Sequence, residues 1–190
     1  SGLNLDNINI ATSKTGKIEV NKSLQTSCTN VYAIGDVVAG PMLAHKAEEE
    51  GVFVAETIAG QKPEINHNTI PNVVYTWPEV ASVGSSEDEL KKLGLDFKIG
   101  VFPFKANGRA KISMDTDGFI KVIADKKTDE ILGVHMIGPR CADLISEAVL
   151  AMEYRATAED IAIITHAHPT FSEVMKEACL AATNNRALHI

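Results

Sequence analysis

Apolar and polar positions change their period along the chain, and the changes divide it into three stretches. In the first sixty residues, short apolar runs alternate with loops. Residues 17–20 (KIEV) predict a short strand, and residues 31–34 (VYAI), which end in Gly35-Asp36, predict a buried one. A loop of small residues follows (VVAGP). Over residues 42–59, Leu43, Ala47, Val54 and Ile58 recur at helical spacing, and Gly60 stands where a helix end favours a residue tolerant of φ > 0. Gly51 lies inside that stretch, where a glycine costs about 1 kcal/mol relative to alanine. Residues 61–72 (QKPEINHNTIPN) are polar and hold two prolines, so the domain boundary is placed there, with residues 1–66 before it and 67–190 after it.

Beyond the boundary the pattern becomes strand-like and then helical. Residues 73–76 and 81–83 predict short strands flanking Trp77-Pro78. Ser86 and Glu89 match a capping box that opens a short helix ending at Gly94. Residues 97–104 predict a strand. Residues 111–114 and 119–124 are separated by DTDG, an Asp-Gly signal for a hairpin, and 131–137 adds a strand after KKTDE. Links this short join only antiparallel neighbours. A helix is predicted over 143–155, with Leu144, Ile145, Ala148, Val149 and Met152 on one side. Thr157 with Asp160 opens a short one through Ile164. A last one runs from near Thr170 to about Thr183 on a stripe of Val174, Ala178, Cys179 and Ala182. Strands first and helices after is an α+β order. The expected fold is an antiparallel β-meander packed with helices, preceded by a partial α/β segment.

Composition narrows the classes of function. Acidic residues outnumber basic ones 25 to 18, which argues against a nucleic-acid or anionic-membrane surface. Hydrophobic residues at 45% and charged ones at 23% describe a globular chain rather than a disordered one. No apolar run approaches the ~20 residues that span a bilayer. The opening SGLNLDNINI reads as neither a signal nor a transit peptide, lacks an initiator Met and begins mid-pattern, so a piece of a longer protein is expected. Cys28, Cys141 and Cys179 are too far apart in sequence for a CxxC or CxxxxC motif. They read as small buried residues of a reducing compartment.

Two stretches could carry chemistry. In HAHPTFSE (166–173), His168 precedes a proline, which pushes its backbone towards extended geometry, and a helix follows at once. An imidazole at a loop-to-helix junction then faces Glu173 one turn on. The carboxylate could hydrogen-bond one ring nitrogen and fix the tautomer, leaving the other as a general base. Two alternatives stand beside this. Thr170 and Glu173 match S/T-x-x-E, so Glu173 would only complete a capping box and His168 would be a polar group in a turn. Or His166, His168 and Glu173 would bind zinc, although no further ligand is evident nearby. In VYAIGDVVAGPMLAHKAEEEG, a buried strand ending in Gly35-Asp36 places a carboxylate at a sheet edge, where it could accept bonds from sugar or ribitol hydroxyls. The MLAH segment opens a helix whose N–H groups could face an oxygen-rich ligand. The plain alternative is a turn. Neither GxGxxG nor a Walker motif occurs, so the chain does not by itself cradle a dinucleotide pyrophosphate.

These stretches, with QTSCTNVYAIGD, YTWPEVASVG, FKANGRAK, GVHMIGP and ATAEDI, resemble the closing part of the flavin domain and the dimerisation domain of the pyridine nucleotide-disulphide oxidoreductases. The doubled HxHPTxSE form points to the lipoamide-oxidising members. The resemblance covers essentially the whole chain, and Phe171 stands where Leu is usual. It implies that residues 1–66 close an FAD-binding domain and 67–190 form an interface domain. Gly35 and Asp36 would meet the ribitol side of FAD, and Met42, Leu43, Ala44 and His45 would line the isoalloxazine and ribitol region. His168 would be the acid/base held by Glu173, serving the other subunit of a homodimer, with the 141–155 helix and the last helix at the interface. The substrate implied is dihydrolipoamide on a carrier domain of a 2-oxoacid dehydrogenase complex, docked to its core subunit, with NAD as co-substrate. The compartment implied is bacterial cytoplasm or mitochondrial matrix. The Gly-rich FAD motif, the redox CxxxxC and the NAD domain do not occur in the chain, so the polypeptide alone is expected to be inactive and to bind FAD weakly or not at all. The competing readings are a non-catalytic dimerisation and docking module, or a related disulphide reductase.

Overall fold

In the computed structural model, which describes residues 2–189, the chain divides into two units, Ser1–Ile65 and Asn66–Ile190. The first contains one long helix, α1 (Ala44–Ile58), and short 3-10 turns at Leu5–Ile8 and Gly35–Val37. The strands expected at 17–20 and 31–34 are isolated antiparallel bridges, Thr12 with Ile18 and Gln25 with Tyr32. Their side chains do enter a small apolar cluster of Ile10, Ile18, Ala33 and Val38. Their backbone groups, however, bond within tight turns: Thr26 N–H donates to the Val31 carbonyl at 2.9 Å and Ala33 N–H to Leu24 at 3.1 Å. A ladder lengthens only beside another extended segment, and the described residues of this unit provide none.

Helix α1 runs unbroken through Gly51 and stops before Gly60, at φ +84°. The face it buries is not the apolar one expected. Lys46 and Glu50 are 2% and 1% exposed, while Ile58 is 66% exposed. The two charges pair at 2.7 Å, and the second oxygen of Glu50 accepts the Gly35 N–H at 2.7 Å, as a sealed charge requires.

The second unit is α+β. Strands β1 (Asn72–Val74), β2 (Glu79–Gly84), β3 (Phe97–Pro103), β4 (Phe119–Asp125) and β5 (Ile131–Gly138) form one sheet in the order β1-β2-β5-β4-β3, every neighbouring pair antiparallel. Strand alternation sends Ala81, Val83, Phe102, Ile120, Val122, Val134 and Met136 to one buried face. Helices α4 (Cys141–Glu153) and α6 (Glu173–Ala182) cover that face, α4 over β2 and β5, α6 over β3 and β4. A Cβ on Gly100 of β3 would meet the backbone of Ala178 and Ala182, so the bare glycine sets how closely α6 approaches. Capping boxes open α2 (Glu87–Lys92) at Ser86 and α5 (Ala158–Ile163) at Thr157, as their sequences predict.

Two expectations fail here for identifiable reasons. The DTDG hairpin does not form: β4 pairs with β3 across residues 104–118, and Lys111 lies in α3 (Gly108–Ile112). Asn107 caps that helix, its Oδ1 accepting the Ala110 N–H at 2.9 Å, and Ala110 is wholly buried. Ile112 and Met114 consequently point outward rather than into a strand-lined core. Gly118 serves a close approach instead, since a Cβ there would strike the Ile137 carbonyl. The second failure concerns the interface. The apolar stripes of α4 and α6 (Ile145, Ala148, Val174, Ala178, Cys179) are covered by their own sheet, so they are not surfaces left for another subunit.

Candidate active site

The loop between α5 and α6 carries the His-Pro-Thr stretch, and its anchors are local and distant in equal measure. Thr170 Oγ1 donates to the Ala167 carbonyl at 2.7 Å, and Asn107 Nδ2 donates to the Thr170 carbonyl at 2.9 Å from 63 positions away. The His168-Pro169 peptide is cis. Glu173 is the first residue of α6 and divides its carboxylate between two donors: His168 Nδ1 reaches Oε1 at 2.8 Å, and the Thr170 N–H donates to Oε2 at 2.8 Å. The S/T-x-x-E match therefore yields only half of a capping box, because the Thr170 hydroxyl turns to Ala167 rather than to the N–H of Glu173. One carboxylate ties both the loop and the ring.

Burial pushes the Glu173 carboxyl up, but the Thr170 N–H and the His168 ring outweigh it and hold the group below its ordinary value. It is an anion at neutral pH. An anionic acceptor at Nδ1 places the proton of the neutral imidazole there, by hydrogen-bond logic, and leaves the Nε2 lone pair available. The Glu173 side chain is 19% exposed and the His168 ring 71% exposed, so a fixed ring offers its basic nitrogen to the surroundings.

His166, two residues earlier, has the opposite environment. Its side chain is 7% exposed, and its Nε2 meets Glu147 Oε1 of α4 at 2.7 Å. That bond raises its pKa, with burial opposing. The two histidines thus go to separate carboxylates, and among the described residues no three His, Cys, Asp or Glu side chains are grouped to hold a metal ion. A third pair lies one turn further along α6. Buried Glu177 accepts the Leu188 N–H and meets His189 Nδ1, both at 2.6 Å, which brings the end of the chain beside the His168 loop. Phe102, Asn107, His168, Glu173, Glu177 and His189 share a cavity of about 180 Å³. Asn107, Glu147 and Glu177 escape a sequence reading. Only Asn107 carries a local signal, an N-cap residue ahead of Gly-Arg-Ala.

In the first unit, Gly35 (φ +69°) and Asp36 form a 3-10 turn whose backbone abuts the first turn of α1, a Cβ on Gly35 lying 3.1 Å from that of Ala47. Asp36, Met42, Ala44 and His45 are exposed and Leu43 half-buried. Leu43 is the N-cap of α1 and its side chain supplies no cap. An exposed carboxylate, that of Asp36, and an exposed thioether, that of Met42, thus stand in the same unit. The cysteines are unpaired. Cys141 is buried, with its thiol pushed up to about 12 by desolvation, and burial pushes Cys179 higher still. Only Cys28 is partly exposed.

Residues 70–179 match the dimerisation domain of pyridine nucleotide-disulphide oxidoreductases, and residues 1–51 match a second pyridine nucleotide-disulphide oxidoreductase domain. The chain is 53% identical over 188 residues to a mitochondrial dihydrolipoyl dehydrogenase of Caenorhabditis elegans (99% of this chain, 38% of that protein). It is 52% identical over 190 residues to that of Pisum sativum (100% and 38%) and 51% over 187 to that of Homo sapiens (98% and 37%). It thus spans less than two fifths of the relatives it matches. Among solved structures, LpdA from Mycobacterium tuberculosis superposes with a TM-score of 0.87 at 27% identity, covering 94% of this chain and 39% of that one. The HOCl-induced flavoprotein disulfide reductase RclA from Escherichia coli gives 0.85 at 25% identity, over 94% and 42%.

Proposed function

Because the chain belongs to the pyridine nucleotide-disulphide oxidoreductases, we propose that its second unit supplies the acid/base of a flavin-dependent dithiol oxidation, with protein-bound dihydrolipoamide as electron donor and NAD⁺ as acceptor. The observation that carries this is the His168 ring, fixed at Nδ1 by ionised Glu173 and exposed at Nε2. A thiol of pKa ~8.5 is only a few per cent thiolate at neutral pH, and only the thiolate attacks a disulphide. His168 Nε2 takes the proton as the substrate sulfur attacks, and Glu173 stabilises the imidazolium that forms. The proton is later returned to a departing thiolate.

The disulphide attacked is not in this unit, whose two cysteines are buried thiols. In the longer protein of which this chain would be a part, the second subunit of a homodimer would bring that disulphide, carried outside these 190 residues, within reach of the exposed ring. Gly35, Asp36, Met42, Leu43, Ala44 and His45 would hold the ribitol and isoalloxazine of FAD, which supplies the two-electron relay between sulfur and nicotinamide. The matching relatives are named as mitochondrial, and a mitochondrial matrix or bacterial cytoplasm suits three unpaired thiols. By itself the 190-residue chain produces no NADH from dihydrolipoamide and NAD⁺ with added FAD. In the FAD-bound dimer of the full-length protein, His168→Gln lowers NADH formation by about 10²–10⁴ while light scattering still reports the dimer. Turnover within twofold of the parent would sink the acid/base role and favour a docking module.

A further inference from the structure

We propose that the buried pair Lys46 and Glu50 positions the flavin wall: together they latch the Gly35–Val37 turn to helix α1 and so fix Asp36 against the Met42–His45 segment. This rests on the FAD-binding role given under Proposed function and deepens it. Neither side chain offers a surface to a ligand, since both are sealed inside the first unit. They act through the backbone they hold.

Glu50 stands in the second turn of α1, and its carboxylate spans two partners. Oε1 lies 2.7 Å from Nζ of Lys46, one turn earlier on the same helix, and Oε2 accepts the Gly35 N–H at 2.7 Å from 15 positions away. The lysine is clasped in turn by the loop that leads from Asp36 to the helix. A Cβ on Gly40, at φ +107°, would lie 3.1 Å from Lys46 Cε. Both ends of residues 35–40 therefore rest on one short stretch of α1, from Lys46 to Glu50. From the preceding segment, Lys17 Nζ donates to the Asp36 carbonyl and the Ile18 N–H to the Val37 carbonyl. The backbone of Asp36 is thus held from two sides while its side chain stays exposed.

Packing alone does not require this arrangement. Desolvating two charges costs so much that apolar side chains of similar volume often hold an element as well or better. What apolar side chains lack is direction. They give the Gly35 N–H no acceptor, and a buried N–H without one is costly. A carboxylate pinned by Lys46 at one oxygen presents the other at one place, so the turn has one seat on the helix. A ligand that meets both Asp36 and the start of α1 then finds their spacing already set, and less ordering remains to oppose binding.

The test uses the full-length protein freed of FAD and titrated with it again. Quenching of flavin fluorescence reads the dissociation constant, and urea unfolding shows that each variant is folded. Lys46→Met/Glu50→Gln removes both charges but keeps an acceptor oxygen within reach of Gly35, and should bind FAD within about threefold of the parent. Lys46→Met/Glu50→Leu fills the space without an acceptor, and should bind about tenfold or more weakly. Lys46→Met alone removes the counter-charge at Oε1 and should also weaken binding, and adding Glu50→Gln should restore it. If the leucine variant does not fold, Glu50→Asp, one methylene too short to span both partners, takes its place with the same expectation. Equal FAD affinity of the glutamine variant and the leucine variant or its substitute, whether both stay near the parent or both fall, refutes the latch. Failure of the flavin reading would look different: Asp36→Ala, with the buried pair intact, would leave FAD affinity unchanged.

Discussion

Glu173→Gln in the FAD-bound dimer of the full-length protein is the most demanding test of the site, because the substitution keeps the shape and changes only donors and acceptors. The native carboxylate accepts from two donors at once, His168 Nδ1–H and Thr170 N–H, each at 2.8 Å. An amide has one acceptor end and one donor end. If its oxygen keeps the Thr170 N–H, its NH₂ faces Nδ1, and the imidazole must move its proton to Nε2, where a base is needed. If the amide turns over, Thr170 loses its acceptor and the loop loosens. The charge-assisted bond itself is worth about 1.5–3 kcal/mol. The ring is 71% exposed, so water screens part of that. At 1.36 kcal/mol per factor of ten, kcat for dithiol oxidation should fall by about 10- to 100-fold. The fold should barely notice, since helix α6 is held by its buried stripe. The assay is NADH formation from dihydrolipoamide across pH, with nitrogen NMR of the His168 ring reporting the tautomer. A variant that keeps more than half of the parent kcat, with Nδ1 still protonated, would refute the claim that Glu173 sets the state of His168.

Three further outcomes follow from named contacts. Asn107→Ala strips partners from the Thr170 carbonyl and the Ala110 N–H, both at 2.9 Å, and should cost about 1–3 kcal/mol in urea unfolding; a loss under 0.5 kcal/mol would contradict the brace. The pKa of His166 is raised, chiefly by the Glu147 hydrogen bond. Its stabilisation is therefore complete below the unfolded value of about 6.5 and is lost as pH rises through the folded value. Glu147→Gln should accordingly lower Tm more at pH 5.5 than at pH 9, and an equal loss at both would remove the charged pair from the account. A thiol reagent at pH 8 should label Cys28 in the folded chain and reach Cys141 and Cys179 only in denaturant; rapid labelling of all three would contradict their burial.

The parts of the fold legible in the sequence are those decided within a turn or along one element. Ser86-Glu89 and Thr157-Asp160 cap their helices because each partner lies three residues away. The apolar runs at 97–104, 119–124 and 131–137 become strands because their alternate residues fill one core. The meeting of His168 with Glu173 belongs to the same class, five positions apart across the start of a helix. Misreadings arose where a local signal competed with a distant one. DTDG has the composition of a hairpin turn, yet the Asn107 cap and the burial of Ala110 place residues 108–112 in a helix. Residues 31–34 have the composition of a strand, yet strand pairing needs a neighbour that composition does not describe.

Local spacing, then, determined the capped helices, the core strands and the imidazole–carboxylate pair, since each depends on residues within a few positions of one another. The tertiary structure alone decided that β3 lies beside β4, that Asn107 holds Thr170, and that Glu147 takes His166 and Glu177 takes His189. Those relations join side chains 12 to 63 positions apart or residues from several elements. Only burial of a shared core, which orders all elements together, brings such groups within bonding distance.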